Sequence, residues 1–162
     1  MPEKNINLMR EPGDRSWKLP FSRTEMVFLL EAMLAEAGLP HDIALELVLL
    51  PDAAMEELNN THMGCHGPTN VLSFPASTPL SAADGKLGSL PVAGSLDLGS
   101  LALSPDTFLR ECLLYGQETE EHCLRLLAHG MAHLLGYDHG PEMDSVAGAM
   151  FAAATERKKS LF

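Results

Sequence analysis

Three histidines, His129, His133 and His139, stand in the run AHGMAHLLGYDHG with the spacing H-x3-H-x5-H. Residues four apart share a helical face, so His129 and His133 can point at one atom. His139 cannot join them if the helix continues, because ten residues of helix would carry it ~15 Å along the axis. Zinc–nitrogen bonds are only about 2.0–2.1 Å long. The chain must therefore stop and fold back. Gly136 is placed to allow this, since glycine accepts the left-handed conformation that ends helices. Three imidazoles with a fourth position open describe a catalytic zinc, whereas structural sites close with four ligands. Imidazole also suits copper, iron and nickel; one zinc per chain is the expectation. Zinc-bound water titrates near neutral pH and is a ready nucleophile for hydrolysis. The run offers no obvious general base, so the catalytic side chain stays unassigned.

The neighbours of these histidines divide into candidates and bystanders. His122 lies two turns before His129, ~10 Å along the axis, too far to reach the same ion, and reads as a surface or supporting residue. Asp138 adjoins His139, and carboxylates often orient ligating imidazoles. Tyr137 reads as core. Cys65 lies between His62 and His66 in an expected loop and is a weak candidate for a further ligand. The spacing overlaps the zinc-protease motif H-E-x-x-H-x-x-G-x-x-H, but Gly130 stands where those enzymes carry their glutamate base. A metalloprotease is thereby disfavoured, while metal binding is not.

The run from His129 to His139 resembles the signature of the YbeY family, bacterial single-strand-specific zinc endoribonucleases of ribosomal RNA maturation. Upstream, Pro68-Thr69-Asn70-Val71-Leu72-Ser73-Phe74-Pro75 resembles that family's P-T-D/N-V-L-S-F-P segment. The two motifs come in the family's order, and the likeness covers most of the chain. It implies zinc on the three histidines, hydrolysis of single-stranded RNA, 3′-end processing of 16S ribosomal RNA with a part in ribosome quality control, and a cytoplasmic location. By the same likeness the second motif lines the cleft, with Asn70 and Ser73 as candidates for contacting RNA or holding the cleft wall. Two positions depart from the family. Met63 occupies the place of an arginine thought to serve the RNA phosphate, and methionine cannot bind phosphate as guanidinium does. Gly99-Ser100 replaces a usual Gly-Asp.

The elements that must position these residues can be read in order. Residues 1–20 carry Pro2, Pro12, Gly13 and Pro20 and read as irregular or extended, with room for an edge strand. Ser22 and Glu25 form a capping box ahead of a helix ended by Gly38 and Pro40. Ile43 to Leu50 alternates as a strand. Asp52 reads as the N-cap of a short helix, and Asn59 to Gly67 as a loop. Val71–Phe74 is a short strand, residues 75–95 a loop or irregular hairpin, and Leu96–Leu103 another strand. Pro105–Tyr115 and Glu118–Leu135 are helices, the second bearing the histidine pair, and Pro141 opens a last helix. The fold class is α+β: a small mixed β-sheet covered by helices, with the histidine site on the main helix and the turn after it.

The chain has 162 residues, 46% of them hydrophobic, which fits one domain over 1–162, with residues 155–162 as a basic tail. No apolar run approaches the ~20 residues of a membrane span, and the N-terminus lacks the apolar core of a secretory leader. Three cysteines without a CxxC pair fit a reducing compartment. The net charge of −11 departs from the basic surface usual in nucleic-acid binders. Positive charge gathers at the two ends, so RNA phosphates are expected there or at the metal. That charge keeps open a second reading, a zinc-stabilised binding factor for ribosomal components with weak or no nuclease activity.

Overall fold

The structure is a computed structural model that describes residues 4–10, 18–39, 42–67, 69–76 and 95–161. Four strands, β1 (Lys4–Arg10), β2 (Asp42–Leu49), β3 (Val71–Pro75) and β4 (Ser95–Leu103), make one sheet in the order β1-β2-β4-β3. β1 and β4 run parallel to β2, while β3 is antiparallel to β4. The helices are α1 (Arg23–Ala37), α2 (Asp52–Met63), α3 (Pro105–Tyr115), α4 (Thr119–Leu134) and α5 (Pro141–Lys158). The chain is therefore α+β with a mixed sheet.

Alternation decides which face of each strand is covered. Ile43, Leu45, Leu47 and Leu49 of β2 are buried in one core with Leu101, Leu103 and residues of α1, α4 and α5. On the other face, Met55 of α2 packs with Leu72 and Ala102 in a smaller cluster, joined by Leu58 and Phe74. α4 runs against β3 and β4 and packs on α5, so the histidine helix is fixed by sheet and helix together. The capping box at the start of α1 forms as the sequence requires: the Glu25 amide donates to Ser22 Oγ and the Ser22 amide to Glu25 Oε1.

The N-terminal stretch carries the edge strand for which the sequence left room, over Lys4–Arg10 and parallel to β2; residues 11–17 lie outside the described residues. Other expectations are corrected. Asp52 is not the N-cap of α2, a place taken by Pro51. Its carboxylate instead accepts from the Ser104 and Thr107 hydroxyls, both at 2.8 Å, and pairs with Arg110 at 2.7 Å, tying α2 to the start of α3. Burial pushes the Asp52 carboxyl up, but hydrogen bonds from Arg110, Ser104 and Thr107 together hold it below its ordinary value. The expected loop from Asn59 is helix through Met63, because buried Asn59 donates to the Gly67 carbonyl at 2.9 Å and Gly64 closes the helix at φ +67°. Residues 155–158 continue α5 and 159–161 form a 3-10 turn, so they are no free tail. Ala154 is fully buried, Lys158 pairs with Glu120 at 2.9 Å, and the Arg157 guanidinium lies 4.8 Å from the Phe28 ring centroid. The loop expected over 75–95 falls mostly outside the described residues.

Candidate metal centre

α4 starts on Glu118, whose carboxylate accepts from the amides of Glu120 and Glu121. Its far end carries His129 and His133 and stops in two hydrogen bonds: Gly136 N–H to the His133 carbonyl at 3.0 Å and Tyr137 N–H to the Ala132 carbonyl at 3.1 Å. This is the Schellman pattern that satisfies the last carbonyls of a helix, and it needs a left-handed residue, supplied by Gly136 at φ +94°. The reversal brings His139 back beside the pair. Ring centroids lie 4.8 Å apart for His129–His133, 5.4 Å for His129–His139 and 4.8 Å for His133–His139. One nitrogen from each of the three falls within 4.8 Å of the others, so one metal ion could be held by all three.

The rings are prepared for that role. His133 Nδ1 lies 3.0 Å from the Tyr137 backbone carbonyl. A carbonyl only accepts, so Nδ1 is the donor of this contact and Nε2 is the nitrogen left to face a metal. Burial first, then the neighbouring His133 and His139, push the His129 pKa below its ordinary 6.5, with Asp144 opposing. The neutral imidazole, the form that binds metal, is favoured there. Asp138, a candidate for orienting His139, lines the cleft. For His133 the acceptor is main chain, the Tyr137 carbonyl.

The histidines line a cleft of about 1000 Å³ shared with Met63, Asn70 and Ser73. Thr69, Asn70, Val71, Leu72, Ser73 and Pro75 of the second motif thus border the same cleft, on and beside β3. Ser73 Oγ donates to the Gly130 carbonyl at 3.0 Å, joining β3 to α4. Asn70 donates to both oxygens of Glu111, at 3.0 and 3.2 Å, and accepts from the Val71 amide at 2.6 Å. Both side chains therefore fasten the cleft wall. Met63 is 62% exposed at the cleft. Cys65 is exposed and stands outside the histidine group, while Cys112 and Cys123 are buried.

Gly130 has a positive reason to be glycine. A Cβ there would lie 2.8 Å from Leu101 Cδ2, 3.3 Å from Val71 Cγ2 and 3.4 Å from Ser73 Oγ. The position taken by the protease glutamate is thus pressed against the sheet, and even a Cβ there requires the buried Leu101 side chain to shift. Gly99, at φ +104°, has a comparable reason, since a Cβ would lie 2.2 Å from the Phe74 carbonyl oxygen. Ser100 donates to Glu46 at 3.1 Å. Leu101 meets Gly130, so strand alternation turns Ser100 to the sheet face away from α4. That departure from the family does not touch the histidines.

Sequence reasoning missed two residues at the site, one behind the cleft wall and one in it. Glu111, behind the wall, accepts from Asn70 and lies 3.4 Å from His122 Nε2, whose ring stacks on Phe108. Arg125 lines the cleft one turn before His129. Its i, i+4 spacing to His129 is the sequence signal for that place.

The chain matches the family model described as endoribonuclease YbeY over residues 14–161. It is 43% identical over 157 residues to the endoribonuclease YbeY of Nitratidesulfovibrio vulgaris, covering 91% of this chain and 93% of that one. With the endoribonuclease YbeY of Lawsonia intracellularis it shares 44% identity over 132 residues, 82% of this chain and 85% of that one. Its fold is similar to the solution structure of TM1509 from Thermotoga maritima, with TM-score 0.59 and 22% identity over 96% and 92% of the two chains. The histidine turn and the segment facing it thus stand within a likeness that spans nearly the whole chain, which belongs to the YbeY endoribonuclease family.

Proposed function

We propose that this chain is a zinc-dependent endoribonuclease that cuts single-stranded RNA in the cytoplasm, acting in ribosomal RNA maturation with the ribosomal subunit as partner. The observation that carries the reading is the convergence of three imidazole nitrogens within 4.8 Å, beside a cleft lined by the second motif. An all-nitrogen set with a place for water fits zinc. When bound, such an ion polarises a phosphoryl oxygen and lowers the pKa of water.

The chain's own residues set the geometry. By engaging Nδ1, the Tyr137 carbonyl leaves Nε2 of His133 as the nitrogen that would hold the ion, and burial favours the neutral form of His129. We assign Ser73 and Asn70 to the RNA-facing wall. The Ser73 hydroxyl, donating to Gly130, keeps lone pairs that can accept from a ribose 2′-hydroxyl. Asn70 holds that wall through Glu111. No helix among the described residues is long and apolar enough to cross a membrane.

The test is cleavage of a labelled ribosomal RNA fragment, single-stranded and as a duplex, by chelated and zinc-restored protein. Cutting confined to the single strand, lost on chelation and regained with zinc, is the expected result. Cutting that ignores the chelator, or treats the duplex equally, would overturn it.

A further inference from the structure

We infer that Arg125 is the cation that holds the RNA phosphate next to the one being cut. The inference rests on the RNA reading of the cleft. Among the described residues lining that cleft, Arg125 is the sole arginine or lysine. It stands one turn before His129 on α4, ~6 Å along the axis and on the same face. The histidines mark where the scissile phosphate sits, so the guanidinium one turn away meets its neighbour on the strand.

The side chain is positioned and releasable. Its guanidinium carbon lies 4.9 Å from the ring centroid of Phe151 on α5, an arrangement that steadies an arginine without using its N–H donors. It pairs with Glu121 one turn back, and both side chains are about half exposed. Such solvated i, i+4 pairs hold weakly, whereas guanidinium binds phosphate through two parallel hydrogen bonds. A phosphate can therefore displace Glu121. Arg157, Lys158 and Lys159, near the chain's C-terminal end, do not line this cleft. In a chain of net charge −11, general attraction for RNA is weak, and one placed cation counts for more.

The experiment measures kcat and KM on a labelled single-stranded oligoribonucleotide across a salt series, with zinc-loaded wild type, Arg125→Gln, Arg125→Lys and Glu121→Gln, and metal content determined for each. Arg125→Gln is expected to raise KM roughly tenfold, keep kcat and zinc, and flatten the salt dependence of log KM by ~0.7. Arg125→Lys should restore the salt dependence and only part of the KM, and Glu121→Gln should lower KM. A KM within about twofold of wild type with unchanged salt dependence would overturn the proposal, as would loss of zinc or a fall in kcat alone. If wild type itself neither binds nor cuts the strand, the RNA reading fails first and this assignment with it.

Discussion

The Nδ1 of His133 and the backbone carbonyl of Tyr137 stand 3.0 Å apart, and the turn that ends α4 makes this contact. Gly136 at φ +94° reverses the chain, presents the Tyr137 carbonyl to His133 and returns His139 to the site. Gly136→Ala should therefore cost about 1–2 kcal/mol of stability and weaken metal binding together. Asp138→Asn should leave metal affinity unchanged. Thermal unfolding with and without metal, paired with metal titration, checks both. A Gly136→Ala protein of full metal affinity would count against a placed turn.

Gly130 marks the closest approach of α4 to the sheet. Its Cβ would lie 2.8 Å from Leu101 Cδ2, and Leu101 is fully buried. Gly130→Ala should destabilise by about 1–3 kcal/mol, the usual cost of overpacking. Gly130→Glu, which would complete a protease motif, should yield misfolded protein and no proteolytic activity. Denaturant unfolding of the alanine variant gives the first number; neutrality would contradict the close packing.

The pH dependence follows from His129. Its folded pKa lies below the ordinary 6.5, chiefly through burial. Below pH 6.5 the unfolded chain therefore binds more protons than the folded one, and stability falls as pH drops. Metal-free protein should melt at lower temperature at pH 5.5 than at pH 7.5, with part of that difference removed in His129→Gln. Identical pH profiles for the two proteins would show that His129 is not the group responsible.

Much of the site was legible because it rests on local rules. Helical spacing pairs His129 with His133, and the need for a left-handed residue picks out Gly136. The capping box of Ser22 and Glu25 formed as read. What stayed hidden depends on distant partners. Asn59-Asn60-Thr61 has weak helix propensity and read as loop, yet the bond from Asn59 to Gly67 keeps it helical. Asp52 read as a cap from its position, but Ser104, Thr107 and Arg110, far along the chain, claim its carboxylate. The C-terminal cations read as a solvated tail because sequence does not show that Ala154 is buried.

Met63, exposed at the cleft, stands where the family resemblance expects an arginine. Met63→Arg should add a second cation to the cleft and raise cleavage of single-stranded RNA by roughly tenfold, the weaker end of a charge-assisted hydrogen bond in free energy. Side-by-side kcat/KM values for variant and wild type decide it. No gain would mean that the cleft does not use a cation at that rim.

The most direct test of the account is metal analysis of His133→Ala beside its cleavage of single-stranded RNA. The account predicts close to one zinc per chain in wild type with metal-dependent cutting, and both lost in the variant while the fold is retained by circular dichroism. A folded His133→Ala protein that keeps stoichiometric zinc and still cuts would contradict the three-histidine centre.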